Sequence, residues 1–76
     1  MPRPTISRAF GTVLREYRLK AGLSQEALAY RAGVHPTYVG LVERGKRRPS
    51  LDSAQRLSRG LGIRLSSLVS EAERRI

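Results

Sequence analysis

Apolar side chains recur along this chain at intervals of three and four residues, and all but the last stretch with that spacing run into a glycine: Gly22, Gly33, Gly45 or Gly62. Such spacing gathers side chains on one face of a 3.6-residue turn, whereas a half-buried strand alternates apolar and polar, and no such alternation is sustained here. Glycine accepts the left-handed backbone on which helices commonly end. The pattern predicts an all-α chain, a compact bundle of five short helices. Phe10, Val13, Leu14, Tyr17 and Ala21 form the apolar stripe of the first, which starts near Ser7 and ends at Gly22. Ser24 is placed to cap a second, Gln25 to Ala32, which buries Leu28, Ala29 and Ala32. His35-Pro36 opens the third, because proline at the first helical position lacks a donor that would be orphaned there anyway. Ser50 caps a fourth, lined by Leu51, Ala54, Leu57 and Leu61, and a fifth starts near Leu65 with Leu68, Val69 and Ala72 on one face. Residues 1–5, with two prolines, are expected to be a flexible arm of a single domain spanning 1–76.

A chain of 76 residues has little material for walling off a deep catalytic pocket as well as building a core. With no cysteine and one histidine it has neither a disulfide framework nor a ligand set for a thiolate or histidine metal centre. The acids Glu16, Glu26, Glu43, Asp52, Glu71 and Glu73 are scattered, and no nucleophile, base and orienting group come together, so neither an enzyme nor a bound metal or cofactor is expected. The net charge of +9 points instead to a polyanionic partner. Thirteen of the fifteen basic residues are arginine, whose planar fork of donors suits phosphate oxygens and the guanine edge. No apolar run approaches the ~18 residues of a membrane span, and the start makes a poor signal peptide, so the expected location is the cytoplasm. Only four aromatics are present and Phe10 is assigned to the core, which disfavours a single-strand or RNA binder that stacks bases.

The segment QEALAYRAGVHPTYVGLVER, residues 25–44, is two short helical stretches around a tight turn. Helices crossing at such a turn need a small residue where they meet, supplied by Ala29, and a residue of positive φ at the corner, supplied by Gly33. Leu28, Val34, Val39 and Val42 fill the apolar positions that fix the angle. Together with GLSQEALA at 22–29 and VERGKRRPSL at 42–51, this chain resembles helix-turn-helix regulators of the Cro and lambda-repressor type, also called XRE-like, over residues 8–70. Its size and the stretch TYVGLVERG are similar to the controller proteins of restriction-modification systems.

The resemblance implies a sequence-specific regulator of transcription from a bacterium or phage, a homodimer that places its third helix in the major groove of double-stranded DNA. Carried over position by position, it implies base reading by His35, Thr37, Tyr38 and Leu41, and phosphate contact by Gln25. Pro36 cannot hydrogen-bond to a base, so polar readout falls to its neighbours, with a larger share for DNA shape. His35, restricted to extended conformations ahead of Pro36, is a candidate for the N-cap as well as for a base contact. Gly40 marks either a close approach to the DNA backbone or a tolerated helical glycine. Tyr38 is expected to face DNA, since Val39 and Val42 already fill the inner face.

Residues 44–64 hold seven basic groups and one acid, which places Arg44, Lys46, Arg47 and Arg48 over phosphates, with Arg3 and Arg8 as candidates from the N-terminal side. Arg18 stands four residues after Leu14 and Glu43 four after Val39, beside the stripes of the first and third helices, so the two charges are expected to face each other. The same pair is implied by the resemblance. One short recognition helix carries too little information to find an operator, and Leu65, Leu68, Val69 and Ala72, with Ile76 beyond them, offer apolar surface for a dimerisation helix over 65–76. Arg64 stands where a capping serine is common in the family, leaving Ser66 as the alternative cap of that helix. A protein partner is also open, either RNA polymerase or, on the alternative reading of the chain as an antitoxin, a toxin.

Overall fold

Side-chain caps decide where the helices begin. In the computed structural model, which describes residues 4–76, Thr5 Oγ1 accepts from the Arg8 amide at 3.1 Å and starts α1 (Ile6–Lys20). Ser24 Oγ accepts from Ala27 at 2.9 Å and starts α2 (Gln25–Ala32), and His35 Nδ1 accepts from Thr37 at 3.1 Å and starts α3 (Pro36–Glu43). Ser50 Oγ accepts from Ser53 at 3.0 Å ahead of α4 (Leu51–Leu61). The last helix, α5 (Leu65–Glu73), has Arg64 at its N-cap and no side-chain capping bond, so neither Arg64 nor Ser66 supplies the cap. Gly22, Gly33, Gly45 and Gly62 all have φ of 71–72° and close the first four helices as expected.

The other three helices pack around α1 and α2: α2 lies against α3 and α4, and α1 against α3 and α5. The shared core takes Phe10, Val13 and Leu14 from α1, Leu28 and Ala29 from α2, Val39 and Val42 from α3, Leu57 from α4 and Leu68 from α5. Two glycines inside helices set the closest approaches. A Cβ on Gly11 would stand 2.1 Å from the carbonyl oxygen of Val42, and one on Gly60 would stand 2.9 Å from Leu28 Cδ1 and 3.3 Å from the Ala32 amide nitrogen. Thus α3 approaches α1, and α4 approaches α2, at places where the glycine itself contributes no side chain.

Several expectations are corrected. Thr5 caps α1 instead of belonging to an arm, and the helix begins at Ile6 rather than near Ser7; residues 1–3, including Arg3, lie outside the described residues. Ala21 is exposed because it follows the last turn of α1 and is no longer over the core. Leu51 is 80% exposed. It occupies the first position of α4, where the stripe runs off the edge of the core onto the rim of an apolar groove lined by Ile6, Phe10, Ala54, Leu65 and Val69. Leu68 and Ala72 are fully covered within the single chain, so they have no area left to give to a dimer, whereas Leu65 and Val69 remain half-buried.

Candidate nucleic-acid interface

The helix expected to meet DNA, α3, has one face committed to the core and its end tied down by charge. Val39 and Val42 bury the inner face of α3, while His35, Pro36 and Thr37 at its start are exposed and Leu41, one turn after Thr37, is half-buried. Tyr38 is half-buried and packs against the core, so less of its ring is available to DNA than expected from Val39 and Val42 alone. The His35 ring accepts at Nδ1, which places the proton of the neutral ring on Nε2 and makes this residue the N-cap. Gly40 is buried: a Cβ there would meet Arg44 Nη1 at 3.0 Å and Gln25 Oε1 at 3.4 Å, so the bare backbone gives those two side chains their place.

Arg18 and Glu43 are each 7% exposed and form a fork-to-fork pair, with Nε to Oε2 at 2.6 Å and Nη2 to Oε1 at 3.1 Å. The third arm of the guanidinium donates to the carbonyl of Leu23 at 2.8 Å, and Gln25 Nε2 donates to Glu43 Oε1 at 3.1 Å. A buried charge is tolerated only when its partners are complete, and here they are: among the described residues no buried side-chain polar atom lacks a partner. The network ties the end of α3 to α1 and to the first turn of α2. Gln25, expected at a phosphate, is thereby held in one orientation before any ligand arrives.

Arg44, Lys46, Arg47 and Arg48 are all exposed, on the C-cap of α3 and in the loop leading to Ser50. Arg8 is exposed on α1 and lies against this loop, 3.1 Å from where a Gly45 Cβ would stand. Thr37, Leu41, Gln25 and these cations therefore fall on the part of the molecule around α3. Arg15, absent from the expected contacts, stands with Gln25 and Arg44 around one cleft; its trace in the sequence is an i, i+3 spacing from Thr12 on the polar face of α1. Among the described residues no group of three or more acidic, histidine or cysteine side chains is placed to hold a metal ion, and no helix is long and apolar enough to cross a membrane.

Residues 14–68 match the family model described as helix-turn-helix. The control protein C.BamHI of Bacillus amyloliquefaciens is 41% identical over 61 residues, which cover 79% of this chain and 75% of that protein. The control protein C.MunI of a Mycoplasma species is 42% identical over 66 residues, 86% of this chain and 89% of that one. Among solved structures, the restriction-modification controller protein C.AhdI from Aeromonas hydrophila superposes with a TM-score of 0.78 at 46% identity, covering 80% of this chain and 92% of its own. The clp gene regulator ClgR from C. glutamicum superposes with a TM-score of 0.91 at 28% identity, covering 97% and 95%. A buried Ala29 on α2, a left-handed corner at Gly33 and an exposed first turn on α3 are thus features of a chain that belongs to the XRE-type helix-turn-helix family, whose members are DNA-binding transcriptional regulators and not enzymes.

Proposed function

We propose that the chain acts as a homodimer on a two-fold symmetric operator, with α3 of each copy in the major groove. The observation that carries this reading is the pairing of an exposed start of α3 with an end fixed by the buried Arg18–Glu43 pair, which presents Thr37 and Leu41 on a helix of set orientation. Thr37 reads a base edge through its hydroxyl or a thymine methyl through its own methyl, and Leu41 adds an apolar contact one turn on. His35 Nε2 and the hydroxyl of Tyr38 are the remaining polar groups in reach of bases. Gln25, Arg44, Lys46, Arg47 and Arg48 hold phosphates and fix the register. Two copies double a readout that is too short alone, and the groove formed by Leu65 and Val69 with Ile6 and Leu51 is the face on which a second copy is seated. The compartment of action is that of the DNA, the cytoplasm of a bacterial cell. Likeness to two control proteins and to a restriction-modification controller favours a promoter-bound regulator of that kind.

The test separates reading from positioning. Thr37→Ala is expected to cost ~1 to 3 kcal/mol on the best site and much less on random duplex. Arg47→Ala is expected to weaken all duplexes alike and to lower the salt slope by ~0.9. Unchanged specificity in Thr37→Ala, combined with altered base preference in Arg47→Ala, would mean that a different face meets the bases.

A further inference from the structure

A cleft between α1, the first turn of α2 and the end of α3 is lined by Thr12, Arg15, Glu16, Gln25, Glu43 and Arg44. Its composition looks balanced, two arginines against two carboxylates, but each carboxylate is already paired with an arginine that does not line the cleft. Glu43 is held by the fork of Arg18 and by Gln25. Glu16 accepts from Arg75, at the end of the chain, through two bonds of 2.7 and 2.8 Å. That contact also holds the Glu16 carboxyl below its ordinary range. The Thr12 hydroxyl donates to the carbonyl of Arg8. Arg15 and Arg44 are exposed and take part in no salt bridge among the described residues. The cleft is therefore cationic in effect, with two guanidinium groups and the Gln25 amide around one concavity.

We propose that this cleft seats one phosphate of the DNA backbone, gripped by Arg15 and Arg44, and that the Arg75–Glu16 pair keeps the seat cationic. The inference rests on the DNA-binding reading and extends the contact surface to α1. Planar guanidinium forks match phosphate oxygens in geometry and charge. A backbone phosphate is favoured over a free anion because Arg44, which lines the cleft, is followed in the loop after α3 by the exposed cations Lys46, Arg47 and Arg48. Gly40 contributes by omission, since its missing side chain leaves the Arg44 guanidinium room beside Gln25. Arg75 acts as a positioning residue: without it the Glu16 carboxylate stands uncompensated beside the phosphate and repels it. Arg75 thereby governs DNA affinity without touching DNA.

The experiment measures fluorescence anisotropy of the full chain on random-sequence and selected duplexes over a range of salt concentrations. Arg15→Ala should weaken binding to both about 5-fold at about 0.15 M salt and lower the salt slope by ~0.9, the contribution of one phosphate contact. Arg75→Ala should weaken binding about twofold, as one uncompensated exposed charge does at this ionic strength, and the effect should vanish in a Glu16→Gln background. Arg74→Ala, which removes the same charge from the neighbouring position, controls for net charge and should have the smaller effect. An unchanged affinity and slope in Arg15→Ala would overturn the seat, and an Arg75→Ala effect of equal size with and without Glu16 would overturn the role of the pair. Inorganic phosphate that saturates the cleft without DNA, while Arg15→Ala leaves duplex binding untouched, would assign the cleft to a free anion and also overturn the proposal. Failure of the wild-type chain to bind any duplex would instead refute the DNA-binding reading itself.

Discussion

Replacing Gly11 by alanine opposes helix propensity with packing, and the structure decides the sign. Alanine in a helix interior gains ~1 kcal/mol over glycine, so on propensity alone the change stabilises. At Gly11, however, the new Cβ would lie 2.1 Å from the Val42 carbonyl oxygen and 3.1 Å from that of Glu43, both backbone atoms. To reach even 3.0 Å, the separation of α1 from α3 must grow by about 0.9 Å at this point. That displacement loosens Val42 in the core and pulls the Glu43 carboxylate away from Arg18, two turns along the same helix as Gly11. Overpacking of a tight interior costs ~1 to 3 kcal/mol, and we place the net effect at destabilisation by ~2 kcal/mol. For a domain of this size each kcal/mol lowers Tm by ~4 to 8 °C, so thermal unfolding followed by circular dichroism should show a fall of ~8 to 16 °C. Gly40→Ala is the internal control, because its Cβ would meet only the flexible ends of Arg44 and Gln25 and should leave stability equal or raised by ~1 kcal/mol. A Gly11→Ala protein as stable as Gly40→Ala would refute the claim that backbone contact at Gly11 sets the position of α3.

Three further outcomes are expected. Arg18→Ala or Glu43→Ala leaves a buried charge without its partner and should cost ~3 to 5 kcal/mol in denaturant unfolding, while replacing both by apolar residues of similar volume should cost less than either; single losses of a few tenths would contradict this. Glu16 is held below its ordinary value of 4.5 by the hydrogen bond from Arg75, so its contribution to stability is complete above that value and is lost as pH falls through the lower folded value. Unfolding curves of wild type and Glu16→Gln should therefore differ at neutral pH and converge as pH falls below the lowered Glu16 value, and a constant offset would count against the pair. Leu51→Glu, at a side chain with little core contact, should change monomer stability by less than ~0.5 kcal/mol yet shift sedimentation toward the monomer; an unaltered dimer would place the interface elsewhere.

What could be read from the sequence follows the range of the interactions involved. Helix limits were legible because their causes are local: Ser24 and Ser50 reach amides three residues on, and Gly33 and Gly62 turn the chain by their own φ. Arg18 and Glu43 were legible because each sits one turn from an apolar residue that had to face inward. Leu51, Leu68 and Tyr38 were not, since periodicity names a face but not how far the neighbouring helix extends over it. Leu51 overhangs the end of the core, whereas Leu68 is sealed by it. Thr5 follows two prolines and so resembles part of an arm in sequence, although its side chain caps α1. Gly11 and Gly60 look like ordinary helical glycines until α3 and α4 are laid against them. Arg15 gave almost no signal, because what distinguishes it from other exposed arginines is the company of Gln25 and Arg44, which are distant in sequence.

Selection of bound duplexes from a random library, with the stoichiometry of the best complex taken by sedimentation, tests the central claim most directly. Two copies of α3 related by a two-fold axis stand about one DNA turn apart, so the enriched sites should carry inverted half-sites centred ~10 base pairs apart and bind two chains per duplex. A selected pool without a common motif, or one asymmetric half-site bound by a single chain, would contradict it.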